Sequence, residues 1–146
     1  MGSYPPIGEH ALIGDLQTCA LVTSDGVIDF FCCPRFDSPT VFASLLDSDK
    51  GGYFSVTPDR PGYVSRQLYL PGTAILITRF MTSDGVGELI DAMPVVADGR
   101  PTSRHRIIRI LRVVRGRMRF AIDCRPSFDY GRAQHKSEIT AEGVAF

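Results

Sequence analysis

Carboxylate side chains are the first candidates for chemistry in this chain of 146 residues, because two facing carboxylates can hydrolyse a glycosidic bond. An inverting reaction needs the two groups about 6.5–9.5 Å apart. Each of the four glutamates lies near a chain end or in a predicted hairpin: Glu9, Glu88, Glu138 and Glu142. None has an acidic neighbour at a suitable spacing. We therefore predict solvated surface positions for all four, and no catalytic residue.

The other reactive residue types also form no recognisable centre. Asp25 and Asp84 precede glycines in turn sequences, where Asp is favoured for conformational reasons. The histidines lie in three different segments and no G-x-S-x-G sequence is present, which argues against a Ser-His-Asp triad. Without a C-x-x-C pair, we predict no metal and no cofactor. The four cysteines are expected to be reduced, partly buried thiols: Cys19, Cys32, Cys33 and Cys124.

Positive charge is concentrated between Arg100 and Arg125, where nine arginines accompany a single acidic residue, Asp123. Such a cluster is the electrostatic footprint of nucleic-acid binding. Arginine also makes fixed, planar contacts with carboxylates and aromatic faces. The net charge of the chain is zero, and no DNA- or RNA-binding module is recognisable. We therefore favour a strand that presents arginines to acidic residues of this or an adjoining domain.

The densest unusual segment is VIDFFCCPRFDSPTVF, residues 27–42. Asp29 lies among apolar residues at the end of a predicted strand. After it, two prolines restrict the backbone of a loop that presents Arg35 and Asp37. A loop fixed in this way suits an interface or the rim of a ligand site. The simpler interpretation is an internal Arg–Asp ion pair, with Asp37 or Ser38 capping a following helix.

The elements that must position these residues are mostly short strands. Asp-Gly turns at Asp25 and Asp84 predict two hairpins, and a third is plausible around Arg115-Gly116. We interpret residues 106–115 as a strand because of their β-branched content. One short helix is predicted over residues 39–46, capped by Ser38 and with Pro39 at its first position. Loops are predicted over residues 58–62, 71–72 and 97–102. The pattern indicates an all-β antiparallel β-sandwich with one short helix.

Seven segments of the chain form a recognisable set: ALIGD (11–15), TCALVTSDGVIDFFCCPRFDSPTVFASLLD (18–47), GGYF (51–54), YLPGT (69–73), IDAMP (90–94), HRIIR (105–109) and FDYGR (128–132). Together they resemble the opening of bacterial and archaeal family 15 glycoside hydrolases, which include glucoamylase-, glucodextranase- and trehalase-like proteins. The segments occur in order along almost the whole chain, which makes the assignment specific although each segment alone is weak.

This resemblance implies that residues 1–146 are one N-terminal β-sandwich of the super-sandwich type or an incomplete part of it. Nothing in the sequence matches the catalytic (α/α)₆ barrel that follows this domain in the family, so we expect the barrel to be absent from the chain. The implied function is a non-catalytic module that supports the barrel and shapes one edge of its cleft. By the same resemblance Arg35, Phe36 and Asp37 are the candidates for contact with a sugar or with the catalytic domain.

Two alternatives remain open: a free-standing module that binds a glucose-containing oligosaccharide, and a self-associating protein whose sheet edges pair with a second copy. The partners expected are thus the catalytic domain or another copy of the chain. No apolar run is long enough for a membrane helix, and no secretory signal is recognisable. A cytoplasmic protein without membrane partners is the expectation.

Overall fold

Frequent turn residues divide the chain into short strands. The computed structural model describes residues 4–96 and 103–146, and twelve strands lie within them. They are β1 (His10–Gly14), β2 (Cys19–Thr23), β3 (Val27–Cys32), β4 (Thr40–Phe42), β5 (Tyr53–Pro58), β6 (Val64–Tyr69), β7 (Leu76–Met81), β8 (Gly85–Ala92), β9 (Ile108–Gly116), β10 (Phe120–Arg125), β11 (Glu138–Thr140) and β12 (Gly143–Ala145). Only two short helical turns occur there, a 3₁₀ turn at Ile7–Glu9 and α1 at Phe128–Gly131.

The strands form two main antiparallel sheets. The six-stranded sheet has the order β1-β2-β3-β5-β10. On the same edge of β3, Val27 and Ile28 pair with β5, whereas Phe31 and Cys32 pair with β4, the sixth strand. The four-stranded sheet has the order β6-β7-β8-β9, and β11 pairs only with β12. The predicted all-β fold class with antiparallel sheets is confirmed.

The two sheets pack face to face over an apolar interior that consists of two clusters of buried residues. In the first, Ile13, Val22 and Ile28 of the six-stranded sheet pack with Leu76 of the four-stranded sheet. In the second, Val56 of the six-stranded sheet packs with Phe80 and Leu89 of the four-stranded sheet. Residues one position away on each strand point to the outer faces, as the two-residue period of a strand requires.

Both Asp-Gly hairpins are confirmed. Gly26 between β2 and β3 has φ +77°, a left-handed conformation that an L side chain rarely adopts, and its N–H donates to the Thr23 carbonyl. Residues 82–84 join β7 to β8, where Thr82 N–H donates to the Gly85 carbonyl. Turn chemistry is local, so the sequence carries it directly.

The predicted position of the short helix is wrong. Thr40–Phe42 is β4, which pairs with β3 through Phe31–Phe42 and Cys32–Thr40, and turns follow it. Thr40 and Phe42 are buried and Val41 less so, the alternation of a half-buried strand. Pairing with a distant strand therefore outweighs the local Ser38-Pro39 helix signal.

The predicted hairpin at Arg115-Gly116 is also wrong. The segment does change direction there, but β9 and β10 belong to different sheets: β9 pairs with β8 and β10 with β5. Residues 117–119 therefore carry the chain from one sheet to the other. The prediction of a strand for the arginine-rich segment is confirmed by β9, whereas the loop predicted over residues 97–102 lies outside the described residues.

Within the described ranges, no helix is long and apolar enough to cross a membrane.

Candidate functional site

The loop predicted as an interface follows β3 directly and is braced by its own side chains. Arg35 Nη2 donates to Asp37 Oδ2 at 2.9 Å, and the Ser38 hydroxyl accepts the Arg35 N–H at 3.1 Å. Arg35 and Asp37 are both exposed, and Phe36 between them is 70% exposed. The predicted internal ion pair is therefore present, although no helix follows it. The loop presents an uncovered aromatic ring on a braced backbone, which suits contact with another surface.

A second exposed apolar surface covers the outer face of the four-stranded sheet, and we call it the aliphatic face. Cross-strand register places four aliphatic side chains in one row across all four strands: Leu68, Ile77, Ile90 and Ile110. Ile110 is 52% exposed, and Val64 and Ile108 are further exposed aliphatic residues of this face. The opposite face carries the core residues Leu76, Phe80 and Leu89. The outer face of this sheet thus carries a row of aliphatic side chains in addition to the apolar residues of its inner face.

An ionic row crosses the aliphatic face. Arg66, Arg79, Glu88 and Arg112 lie opposite one another in register. Arg79 donates to Glu88 Oε1 at 2.6 Å and Arg112 donates to Oε2 at 2.5 Å. Glu88 is only 2% exposed, so the predicted surface position is wrong for this glutamate. The other three, Glu9, Glu138 and Glu142, are exposed as predicted.

The two arginines also determine the ionisation of Glu88. Burial is the largest single influence and disfavours the charged carboxylate, but the hydrogen bonds from Arg112 and Arg79 together outweigh it. The pKa of Glu88 therefore lies below its ordinary value of 4.5. A group with a lowered folded-state pKa stabilises the fold fully above its unfolded-state pKa, and the stabilisation disappears as the pH falls through the folded-state value.

Replacing Glu88 with Gln is therefore expected to destabilise the chain by about 1 to 3 kcal/mol near neutral pH, the typical size for hydrogen bonds to a charged group. The difference should shrink as the pH is lowered below 4.5, the ordinary pKa of Glu. Urea unfolding of both proteins across this range measures it. Glu138→Gln, at an exposed strand position, serves as the matched control. A Glu88→Gln deficit that is constant with pH would contradict the ion-pair explanation.

Another arginine of β9, Arg109, turns inward and joins the two sheets. Arg109 binds Asp91 through Nε at 2.8 Å and donates to the carbonyl oxygens of Phe54 and Gly26 at 2.7 and 2.6 Å. Its guanidinium also lies over the Phe54 ring, 4.7 Å from the centroid. Burial raises the pKa of Asp91, and the hydrogen bonds from Arg109 offset part of that effect. The arginine-rich strand thus meets acidic partners on both faces, as the sequence analysis favoured.

Two buried histidine–aspartate pairs were missed by the sequence analysis. His10 Nε2 lies 2.8 Å from Asp29 Oδ2, and His105 Nδ1 lies 2.5 Å from Asp15 Oδ2. Burial raises the pKa of Asp29, which the hydrogen bond with His10 only partly offsets. For Asp15, burial is outweighed by hydrogen bonds from His105 and two backbone N–H groups, which lower its pKa. The partners are 19 and 90 residues apart, so no local spacing could have revealed them.

Other reactive groups do not converge. In the part of the chain that the structure describes, no group of three or more His, Cys, Asp or Glu side chains is arranged to hold a metal ion. The four cysteines are free, and each is buried or partly buried, as predicted. Burial raises the pKa of each thiol: Cys19, Cys32, Cys33 and Cys124. These thiols are therefore poor nucleophiles.

Comparison with known proteins identifies the family. The family model described as trehalase-like, N-terminal, matches residues 2–146. A trehalase of Mycobacterium tuberculosis is 31% identical over 95% of this chain and 22% of its own length. A trehalase of Thermoplasma volcanium is 34% identical over 98% of this chain and 23% of its own length. Trehalase 1 of Sulfolobus acidocaldarius is 36% identical over 97% of this chain and 22% of its own length. No solved structure matches significantly.

The chain therefore spans between a fifth and a quarter of the length of these relatives. The order and extent of the match agree with the resemblance found in the sequence. The chain belongs to the trehalase-like N-terminal domain family.

Proposed function

We propose that this chain is the non-catalytic N-terminal module of a protein related to the family 15 glycoside hydrolases, acting on trehalose or a similar α-glucoside. The module would pack against the catalytic domain and shape one edge of its cleft. The observation that carries the proposal is the aliphatic face, because exposed aliphatic side chains that are contiguous on a sheet mark an interaction surface.

The open side of the sandwich supports the same proposal. Among the described strands, β9 and β10 each have one unpaired edge, and residues 117–119 join them at one side of the sandwich. Ile122 of β10 is 67% exposed although its cross-strand neighbour Val56 belongs to the core. Unpaired edges beside exposed core-facing side chains favour the addition of further strands. We therefore also propose that residues 1–146 are part of a larger β-sandwich.

The braced loop supplies the candidate contact near the cleft. Phe36 is a large exposed aromatic side chain, and such residues often dominate the binding energy of an interface. Arg35 and Asp37 flank it with charges that can accept or donate hydrogen bonds. Under this proposal the loop meets the catalytic domain or a bound sugar.

A chimera tests the proposal. In it, this chain replaces the matching segment of the Thermoplasma volcanium trehalase, which it resembles over 98% of its own length. We expect the chimera to hydrolyse trehalose, and the isolated chain to release no glucose. A well-folded but inactive chimera would contradict the proposal, as would turnover by the isolated chain.

The same chimera distinguishes an interface from an ordinary surface. Ile110→Glu should change the stability of the isolated chain by no more than about 0.5 kcal/mol, since the side chain is already half exposed. In the chimera it should cost about 2 to 4 kcal/mol, because a charge would then be buried in an apolar contact. Thermal unfolding of the two proteins measures both effects. Ile139→Glu, on the exposed β11, is the control expected to be neutral in both. Equal effects of Ile110→Glu in the two proteins would exclude the aliphatic face as the interface.

A further inference from the structure

A cleft of about 600 Å³ lies on the outer face of the six-stranded sheet, and its described lining residues include none of the aliphatic face or of the braced loop. Its walls come from the N-terminal segment, the β2–β3 hairpin, the β4–β5 loop and β5. Val27, Asp29 and Ser55 line it, whereas their chain neighbours Ile28 and Val56 belong to the core. A cleft of this volume can hold a small organic ligand.

The lining of this cleft is rich in hydroxyl and carboxylate groups. Among the described residues that line it, seven carry hydroxyl groups, three carry carboxylates, and none is Lys, Arg or His. The lining therefore disfavours anionic ligands. It also includes Tyr4 and two prolines, which offer apolar surface beside the polar groups. Hydrogen-bonding groups next to apolar surface suit a neutral polyhydroxyl ring, whose hydroxyls donate and accept and whose C–H faces are apolar.

One side chain in the lining, that of Asp29, has a buried oxygen without a hydrogen-bond partner among the described residues. Asp29 is 4% exposed, and its Oδ2 is bound to His10 Nε2. Its Oδ1 is buried and has no hydrogen-bond partner among the described residues. An unpaired buried carboxylate oxygen is costly, so a donor supplied by a ligand would relieve the cost.

The contacts of His10 hold the Asp29 carboxyl group in place. His10 Nδ1 lies 3.1 Å from the Pro6 carbonyl oxygen, and Nε2 lies 2.8 Å from Asp29 Oδ2. Oδ2 is therefore engaged by the histidine, and Oδ1 is the carboxyl oxygen left for a ligand.

Further groups of the cleft are also available. Ser44, Ser55 and Glu9 line the cleft, and no hydrogen bond within the described residues engages their side-chain oxygens. Ser44 lies in the β4–β5 loop and Ser55 lies on β5, so they approach the cleft from different elements. Available hydroxyls and carboxylates on several walls can contact different hydroxyls of one ring.

We propose that this cleft binds a neutral hexose unit, with a sugar hydroxyl donating to Asp29 Oδ1 and others contacting Ser44, Ser55 and Glu9. The choice of a glucoside such as trehalose rests on the proposed function, whereas the preference for a neutral sugar rests on the lining alone. The cleft would hold substrate or product on the module itself, at a position separate from the braced loop.

Titration of the isotope-labelled chain with trehalose, followed by backbone amide NMR, tests this proposal. We expect saturable shifts confined to the cleft, with a Kd of about 1 to 10 mM, a range typical of weak binding. Glucose 6-phosphate should bind more weakly, because no Lys, Arg or His is found among the described residues that line the cleft. No saturable shift with trehalose, or a stronger response of the same amides to magnesium chloride than to trehalose, would overturn the proposal.

Variants locate the site. Asp29→Asn should weaken trehalose binding about tenfold or more, since it replaces the carboxyl group that accepts the sugar hydroxyl. If that variant does not fold, Ser44→Ala and Ser55→Ala remain informative, and each should weaken binding about threefold or more. Ser137→Ala, at an exposed position outside the cleft, is the matched control. Unchanged binding in all cleft variants that fold would overturn the proposal.

These experiments measure sugar binding by the isolated chain. A negative result is therefore distinguishable from failure of the chimera to hydrolyse trehalose.

Discussion

Replacing Arg109 with Met is expected to lower the free energy of unfolding by about 3 to 5 kcal/mol, the cost typical of breaking a buried ion pair by removing one partner. Asp91 is fully buried, and Arg109 supplies both of its hydrogen-bonded contacts. Removing the guanidinium would also leave the carbonyl oxygens of Phe54 and Gly26 without this donor. Both sheets would thus lose contacts at once.

Urea unfolding with two further variants separates the explanations. Arg112→Met removes a half-exposed guanidinium from the outer face of the same strand, and Glu88 keeps Arg79 as a partner. We expect it to cost less than Arg109→Met. The double variant Arg109→Met/Asp91→Leu should recover much of the loss, because no unpaired charge then remains inside. If Arg109→Met costs no more than Arg112→Met, Arg109 does not join the sheets in the way its contacts indicate.

The features of the fold that could be predicted are those with local causes. The Asp-Gly turn at Gly26 requires a left-handed residue, and the β-branched content of residues 106–115 disfavours a helix. Both signals act within a few residues of the chain. The sheet to which each strand belongs depends instead on distant pairing, such as Phe120 with Pro58. That dependence explains the incorrect hairpin at Arg115-Gly116 and the incorrect helix over residues 39–46.

The candidate site shows the same division. The braced Arg35–Asp37 loop was predictable because its prolines and its ion pair are close in sequence. The aliphatic face requires the register of four strands, in which Leu68 and Ile110 are on opposite edges. The arginines that bind the buried Glu88 are 9 and 24 residues away from it in sequence. Asp29 is paired with His10, which is 19 residues away. Contacts of this kind join residues that are far apart in the chain, so they produce no regular spacing that could be recognised in a single sequence.

Phe80→Ala is the second substitution with a large expected effect, about 3 to 5 kcal/mol of lost stability, as for other fully buried phenylalanines. Phe80 of β7 is 0% exposed. It packs edge-to-face on Tyr63 and on Phe120 of the opposite sheet, each with ring centroids 5.7 Å apart. Gly26 is also close, since a Cβ there would lie 3.1 Å from the Phe80 ring. Truncation would leave a void between the sheets, because close neighbours on both sides relax only partly.

Phe36→Ala is the matched control and is expected to give the opposite pattern. The Phe36 ring is exposed in the isolated chain, so its removal should change stability by less than about 0.5 kcal/mol there. In the chimera with the Thermoplasma volcanium trehalase, we expect it to reduce trehalose hydrolysis about tenfold, the loss typical of removing one aromatic anchor worth more than 1 kcal/mol. Phe80→Ala should instead destabilise both proteins. Urea unfolding and activity assays on the two variants measure the contrast. A Phe36→Ala chimera with full activity would show that the braced loop contacts neither the catalytic domain nor the sugar.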